Sequence, residues 1–127
     1  PLEAGFGFAL KMDKPGGFIG REAVARKAAR PLERRLVSVH LSDPEPLMYH
    51  AEVLRRDGVP VGYLRAASYS HTLGGAVGLA MVEGHGVAIT PTWLAGGTWT
   101  VEINGAQYAA TTSLRPLYDP ANERIKM

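Results

Sequence analysis

Trp99-Thr100-Val101-Glu102-Ile103-Asn104-Gly105-Ala106-Gln107-Tyr108-Ala109-Ala110 is the stretch on which the fold turns. Trp99, Val101 and Ile103 alternate with Thr100 and Glu102, run into Asn104-Gly105, and are answered by Tyr108 and Ala110 on the way back. A two-residue hairpin turn needs positive φ at both central residues, and Asn-Gly is the pair that accepts it most readily. The stretch therefore reads as two antiparallel strands joined by a tight turn. The same period of two appears upstream. Val37, Val39 and Leu41 alternate with Ser38, His40 and Ser42, the pattern of a half-buried strand. Glu52 to Arg56 leads into Asp57-Gly58 and then Val59, Val61 and Tyr63, a second hairpin. Pro60 has no N–H for a ladder, so its strand is expected at an edge or a bulge. Val77, Leu79 and Met81 alternate with Gly78, Ala80 and Val82.

One segment has another character. Between Gly20 and Arg30 the residues Arg21-Glu22-Ala23-Val24-Ala25-Arg26-Lys27-Ala28-Ala29 rank high in helix propensity. Pro31 disfavours helix through Arg30. Fifteen glycines and nine prolines in 127 residues favour short strands and tight turns elsewhere. The fold class expected is mainly β: a small antiparallel β-barrel of about six or seven strands preceded by one short α-helix. Closure hides the edges that such strands would otherwise expose.

A chain of this length suits a single core. It has no cysteine, which removes disulfides and thiolate metal sites. No apolar run reaches the roughly 18 residues of a membrane span, and no leader is read in the opening residues. The cytoplasm, or the mitochondrial matrix in a eukaryote, is the expected location. Residues 1–35 hold eight Lys/Arg against four Asp/Glu. Arg26, Lys27, Arg30, Arg34 and Arg35 invite a nucleic-acid reading, but no aromatic residues interleave them as a stacking platform requires. A solvated helix face is the simpler reading.

The residues that carry chemistry are sparse. His40, His50, His71 and His85 have no metal-ligand spacing. Ser68 and Ser70 lie near His71, but there is no nucleophile elbow, and neighbours on a strand point to opposite faces. Gly74-Gly75-Ala76-Val77-Gly78 lacks the following helix of a dinucleotide loop and reads as a strand-to-strand bend. No catalytic residue and no metal site is assigned.

A resemblance adds what chemistry alone does not. Pro1-Leu2-Glu3-Ala4-Gly5-Phe6-Gly7-Phe8, Lys11, Asp13, Lys14 and Phe18-Ile19-Gly20-Arg21-Glu22-Ala23 together resemble the end of the folate-binding core of the aminomethyltransferase family, which includes the glycine cleavage T-protein. Ala66-Ala67-Ser68-Tyr69-Ser70-His71-Thr72-Leu73-Gly74 matches the TSGxxSPTLG segment of its C-terminal barrel, with His71 where the T-protein branch commonly has proline. That departure, and the ending Arg115-Pro116-Leu117-Tyr118-Asp119-Pro120, resemble the dimethylglycine and sarcosine dehydrogenase branch.

The resemblance implies a division at residue 31: residues 1–31 as the tail of the folate-binding core, and 32–127 as the C-terminal barrel. It implies a parent protein that uses tetrahydrofolate, with FAD in a separate upstream domain, and that passes a one-carbon unit to tetrahydrofolate. The family's catalytic aspartate and main pterin-binding residues lie upstream of Pro1, so the stretch is expected to be inactive alone and to bind no cofactor alone. Its expected partner is the upstream folate-binding core of the same parent chain. Phe8, Tyr69, His71, Arg115 and Tyr118 are the candidate cofactor-binding residues, the rings for stacking and the arginine for carboxylates. Two further readings stand: a T-protein piece with no flavin partner, and a stand-alone nucleic-acid-binding barrel. Leu2, Phe6, Phe8 and Leu10 share one face if residues 1–11 are extended. That segment is expected to fold back on the barrel or to self-associate with a second copy.

Overall fold

The computed structural model describes residues 1–126. Six strands, β1 (Arg34–Leu41), β2 (Val53–Arg56), β3 (Val59–Ser70), β4 (Gly75–Glu83), β5 (Trp99–Ile103) and β6 (Ala106–Ser113), close into a barrel in the order β1-β4-β3-β2-β5-β6. Every ladder is antiparallel. Three neighbouring strands, β2, β3 and β4, follow one another by hairpins, and β1 reaches β2 by a long connection yet lies beside β4, which is a Greek-key arrangement. Helix α1 (Arg21–Ala28) precedes the barrel, and a five-residue helix α2 (Pro91–Ala95) interrupts the β4–β5 connection.

The turns form where the sequence places them. Asp57-Gly58 has φ of 52° and 80°, and Asn104-Gly105 has φ of 50° and 80°. Pro60 pairs with Arg55 beside a register shift, so the missing N–H falls at a bulge. The interior is apolar: Val37, Val39 and Leu41 from β1, Leu54 from β2, Leu64 from β3, Ala80 and Val82 from β4, Val101 from β5. Met48 closes the barrel from the β1–β2 connection, and Ile89 and Leu94 from the β4–β5 connection.

One expectation needs correction. Residues 1–11 are not extended. Gly5 takes φ of 79°, bonds from Gly5 N–H to Leu2 O (3.1 Å) and Phe6 N–H to Pro1 O (2.9 Å) close local turns, and Phe6–Ala9 is a 3-10 turn. With no neighbouring strand to complete a ladder, the backbone satisfies itself locally. The segment is nevertheless attached: Leu36 N–H donates to Glu3 O at 2.7 Å, and Lys27 pairs with Glu3 at 2.9 Å. The short helix α2 is held at its start. Thr90 caps α2, its hydroxyl accepting Trp93 N–H at 3.1 Å, with Pro91 in the first turn. In β4 the small set Ala76, Gly78, Ala80 and Val82 faces inward, while Val77, Leu79 and Met81 face out. The interior opposite β4 is already filled by Val37, Val39 and Leu64. Gly78 shows the limit: a Cβ there would sit 2.9 Å from Ala66 O.

Candidate functional site

The outward positions of the barrel divide into two unlike halves. On β5 and β6 they are Thr100, Glu102, Gln107, Ala109 and Thr111. Thr100 donates to Gln107 Oε1 at 3.0 Å, and Arg55 of β2 holds Glu102 with contacts of 3.1 and 2.7 Å. This half matches its own polar groups, as a solvent-facing antiparallel sheet does. On β1, β4 and β3 the rows across the sheet are Leu36–Met81–Tyr63, Ser38–Leu79–Ala66 and His40–Val77–Ser68. Leu79 is 43% exposed and Tyr63 42%.

The chain after β6 runs back over this second half. Leu114 packs on the core, and Pro116, Leu117 and Tyr118 form the far wall of a groove of 460 Å³. Its floor and near wall are Ser38, Ala66, Ser68, Ser70, Leu73, Val77 and Leu79. No charged side chain lines it. Asp119 anchors the end of this strap: its carboxylate accepts Glu123 N–H at 2.8 Å and Arg124 N–H at 3.1 Å. The adjoining groove, 570 Å³ over Val53, Pro60, Tyr63 and Met81, is rimmed by Arg34, Arg65, Glu83 and His85. Arg65 is the extra residue of a bulge in β3, and its guanidinium lies 4.0 Å from the Tyr63 ring centroid.

The five candidate residues do not converge. Tyr118 lines the uncharged groove, and Arg115 is exposed at the start of the same strap, its N–H bonded to Ser113 Oγ at 3.0 Å. Tyr69 and His71 stack edge-on at 5.1 Å beside the β3–β4 turn. Tyr69 pairs with inward-facing Ala76, so its side chain is on the opposite side of the sheet from Ser68 and Ser70. Phe8 is 86% exposed on the N-terminal 3-10 turn, against Phe6 at 6.2 Å. That segment is stitched to Leu36, whose partner Met81 lies five residues along β4 from Ala76, roughly 17 Å at the usual rise. Sequence reasoning missed Ser38, Ser68, Ser70, Leu79 and Leu117 as a shared surface. The available signal was the run Val77–Val82, apolar or small on both faces, which is how a strand covered on both sides reads.

Other candidates resolve simply. Gly74-Gly75 is the bend into β4, and no helix follows, so the residues do not fit a dinucleotide phosphate. His85 has φ of 49° in the turn after β4. No three His, Asp or Glu side chains gather into a metal site among the described residues, and no helix there is long and apolar enough to cross a membrane. The basic residues around α1 are partly matched by acids: Arg26 with Glu22 at 3.8 Å, Lys27 with Glu3, and Arg34 with Glu83 at 3.9 Å. The hydrogen bond from Lys27 holds the Glu3 carboxyl below its ordinary pKa.

Comparison with known proteins gives a family match over residues 34–119, to the glycine cleavage T-protein C-terminal barrel domain. The chain is 40% identical over 126 residues to the 4-methylaminobutanoate oxidase (formaldehyde-forming) of Paenarthrobacter nicotinovorans, covering 99% of this chain and 14% of that protein. It is 32% identical over 127 residues to the mitochondrial sarcosine dehydrogenase of Homo sapiens, with 99% and 14% covered. With the aminomethyltransferase of a Nostoc species it shares 35% over 125 residues, covering 97% and 31%. The chain thus spans about a seventh of the first two and under a third of the last. In fold it matches the glycine cleavage system aminomethyltransferase T of Bartonella henselae, with a TM-score of 0.59 and 20% identity over 76% of this chain and 26% of that one.

Proposed function

Because the chain belongs to the glycine cleavage T-protein C-terminal barrel domain family, we propose that it walls one side of a tetrahydrofolate site in a larger polypeptide that passes a one-carbon unit to that cofactor. The observation that carries the reading is the kind of relative found. One barrel recurs in proteins named as aminomethyltransferases and in proteins named for oxidising N-methylated amines, one of them formaldehyde-forming. Oxidation of an N-methyl group and transfer of an aminomethyl group both handle carbon at the oxidation level of formaldehyde. A module common to the two fits the capture of that carbon. Tetrahydrofolate, when bound, supplies the nitrogens that accept it.

The chemistry of the barrel fits a wall and not a complete site. Tyr118 offers a ring 45% exposed beside an uncharged groove, and Arg115 offers a cation on the same strap. A ring edge can stack on the first and a carboxylate can pair with the second. Recognition of a polar pterin needs converging buried donors and acceptors, and no polar or charged residue is fully buried among those described. The partner in this proposal is the folate-binding core that precedes the barrel, with residues 1–31 as its tail and 32–127 as the barrel. FAD belongs to a further upstream part.

The test is tetrahydrofolate binding and tetrahydrofolate-dependent one-carbon transfer by the longer polypeptide, by its Tyr118→Ala variant, and by this chain alone. The longer polypeptide binds and turns over. Tyr118→Ala weakens binding about tenfold, the worth of one aromatic stack. The chain alone does not turn over. A longer polypeptide that ignores folate, or turnover by the isolated chain, sinks the reading.

A further inference from the structure

We propose that the outer face of β1, β4 and β3, together with the strap Pro116–Tyr118, is the surface on which the upstream folate-binding core seats. This rests on the reading above and adds to it the place of contact.

Three observations carry it. The first is composition. Val77, Leu79 and Met81 face outward with Tyr63 and Ala66 beside them, and the groove that Val77, Leu79 and Ala66 share with Leu117 and Tyr118 has no charged lining. The centre of a protein interface is depleted of charge and enriched in aromatic and methionine side chains, and its rim is polar. Here Arg34, Arg65 and Glu83 line the adjoining groove over Tyr63 and Met81, on one side of that centre. The β5–β6 half of the same barrel serves as the internal control, since all its outward positions but Ala109 are polar, with Thr100 bonded to Gln107 and Glu102 to Arg55.

The second observation is where the chain enters. Residues 1–31 reach the barrel at β1, where Leu36 N–H donates to Glu3 O, and Leu36 stands directly opposite Met81. A core joined through this segment arrives beside the apolar face, not across the barrel from it. The third is what the relatives share. The long oxidising proteins and the shorter aminomethyltransferases both contain this barrel, as 14% and 31% of their lengths. The covering surface present in both kinds is the portion that precedes a C-terminal barrel in the shorter one. A second copy is the poorer occupant, because the barrel is closed and offers no free strand edge for pairing.

The chain has no cysteine, so single cysteines report cleanly. Leu79→Cys and Ser68→Cys on the proposed face, and Gln107→Cys on the polar half, are each introduced into this chain and into the longer polypeptide. Labelling by a maleimide is then followed by peptide mass mapping. In this chain all three label quickly. In the longer polypeptide Leu79→Cys and Ser68→Cys slow by tenfold or more, while Gln107→Cys is unchanged. Equal labelling of Leu79→Cys in the two contexts overturns the inference. So does protection that appears in this chain alone as its concentration rises, since a second copy is then the occupant. Folate binding by the longer polypeptide is measured on the same samples. Binding without protection sinks only the interface, and protection without binding sinks only the functional reading.

Discussion

Asn104 and Gly105 occupy the left-handed region at φ of 50° and 80°, and nothing lies within 4 Å of the place a Gly105 Cβ would take. The cost of a side chain there is therefore conformational and not a clash. Gly105→Val is expected to lower stability by about 1 kcal/mol or more, because a β-branched residue is strained at positive φ. A thermal melt should fall by a few degrees, and an unchanged melt would show that the backbone there is not held. Glu3 works differently. Its carboxyl has a lowered pKa through Lys27, so the interaction is present above the ordinary carboxylate range and is lost as pH falls through the folded-state value. The pair is partly exposed, so its worth is small, within about 1 kcal/mol. Glu3→Gln should melt slightly earlier than the parent at neutral pH and together with it in acid. A difference that persists in acid would assign the effect to something other than charge.

At the scale of elements, α2 shows how a five-residue helix persists. Thr90 caps its first turn, Pro91 presets φ, and the Trp99 indole N–H donates to Leu94 O at 2.9 Å from β5. Arg56 adds a bond to Trp93 O at 3.1 Å and lies 4.4 Å over the Trp93 ring. Thr90→Ala is expected to cost about 1 kcal/mol, and Thr90→Ser little. Equal melting of both variants would show that the Thr90 hydroxyl does not hold the helix start. Sequence reading missed this helix, although Thr90-Pro91 is a pair that can start one. The element is too short to show a period of its own, and its tertiary partners hold it.

For the whole molecule, closure makes each core position count. Leu54 lies on β2, between β3 and β5, and is fully enclosed. Leu54→Ala should cost about 2–5 kcal/mol, a large share of the 5–15 kcal/mol typical of a domain. Chemical denaturation should show it as a lower midpoint with an unchanged slope. A loss under 1 kcal/mol would mean that the barrel collapses around the gap.

What the sequence determined alone was local. Asp57-Gly58 and Asn104-Gly105 read as hairpin turns, Val37, Val39 and Leu41 as one face of a strand, and Pro60 as an edge or a bulge, of which the structure has the bulge. Each rests on backbone sterics or on period two, which neighbours cannot override cheaply. The resemblance in residues 66–74 and 115–120 pointed to the family for the whole chain. Tertiary structure decided which face of β4 is inside, because both of its faces are apolar or small and only the residues already filling the interior choose between them. It also decided that Phe6 and Phe8 sit on a turn and not a strand, since a strand needs a partner ladder. Likewise, Tyr118 and Leu79 share a groove through the return path of the strap over β4, a meeting set by chain topology that no local pattern encodes.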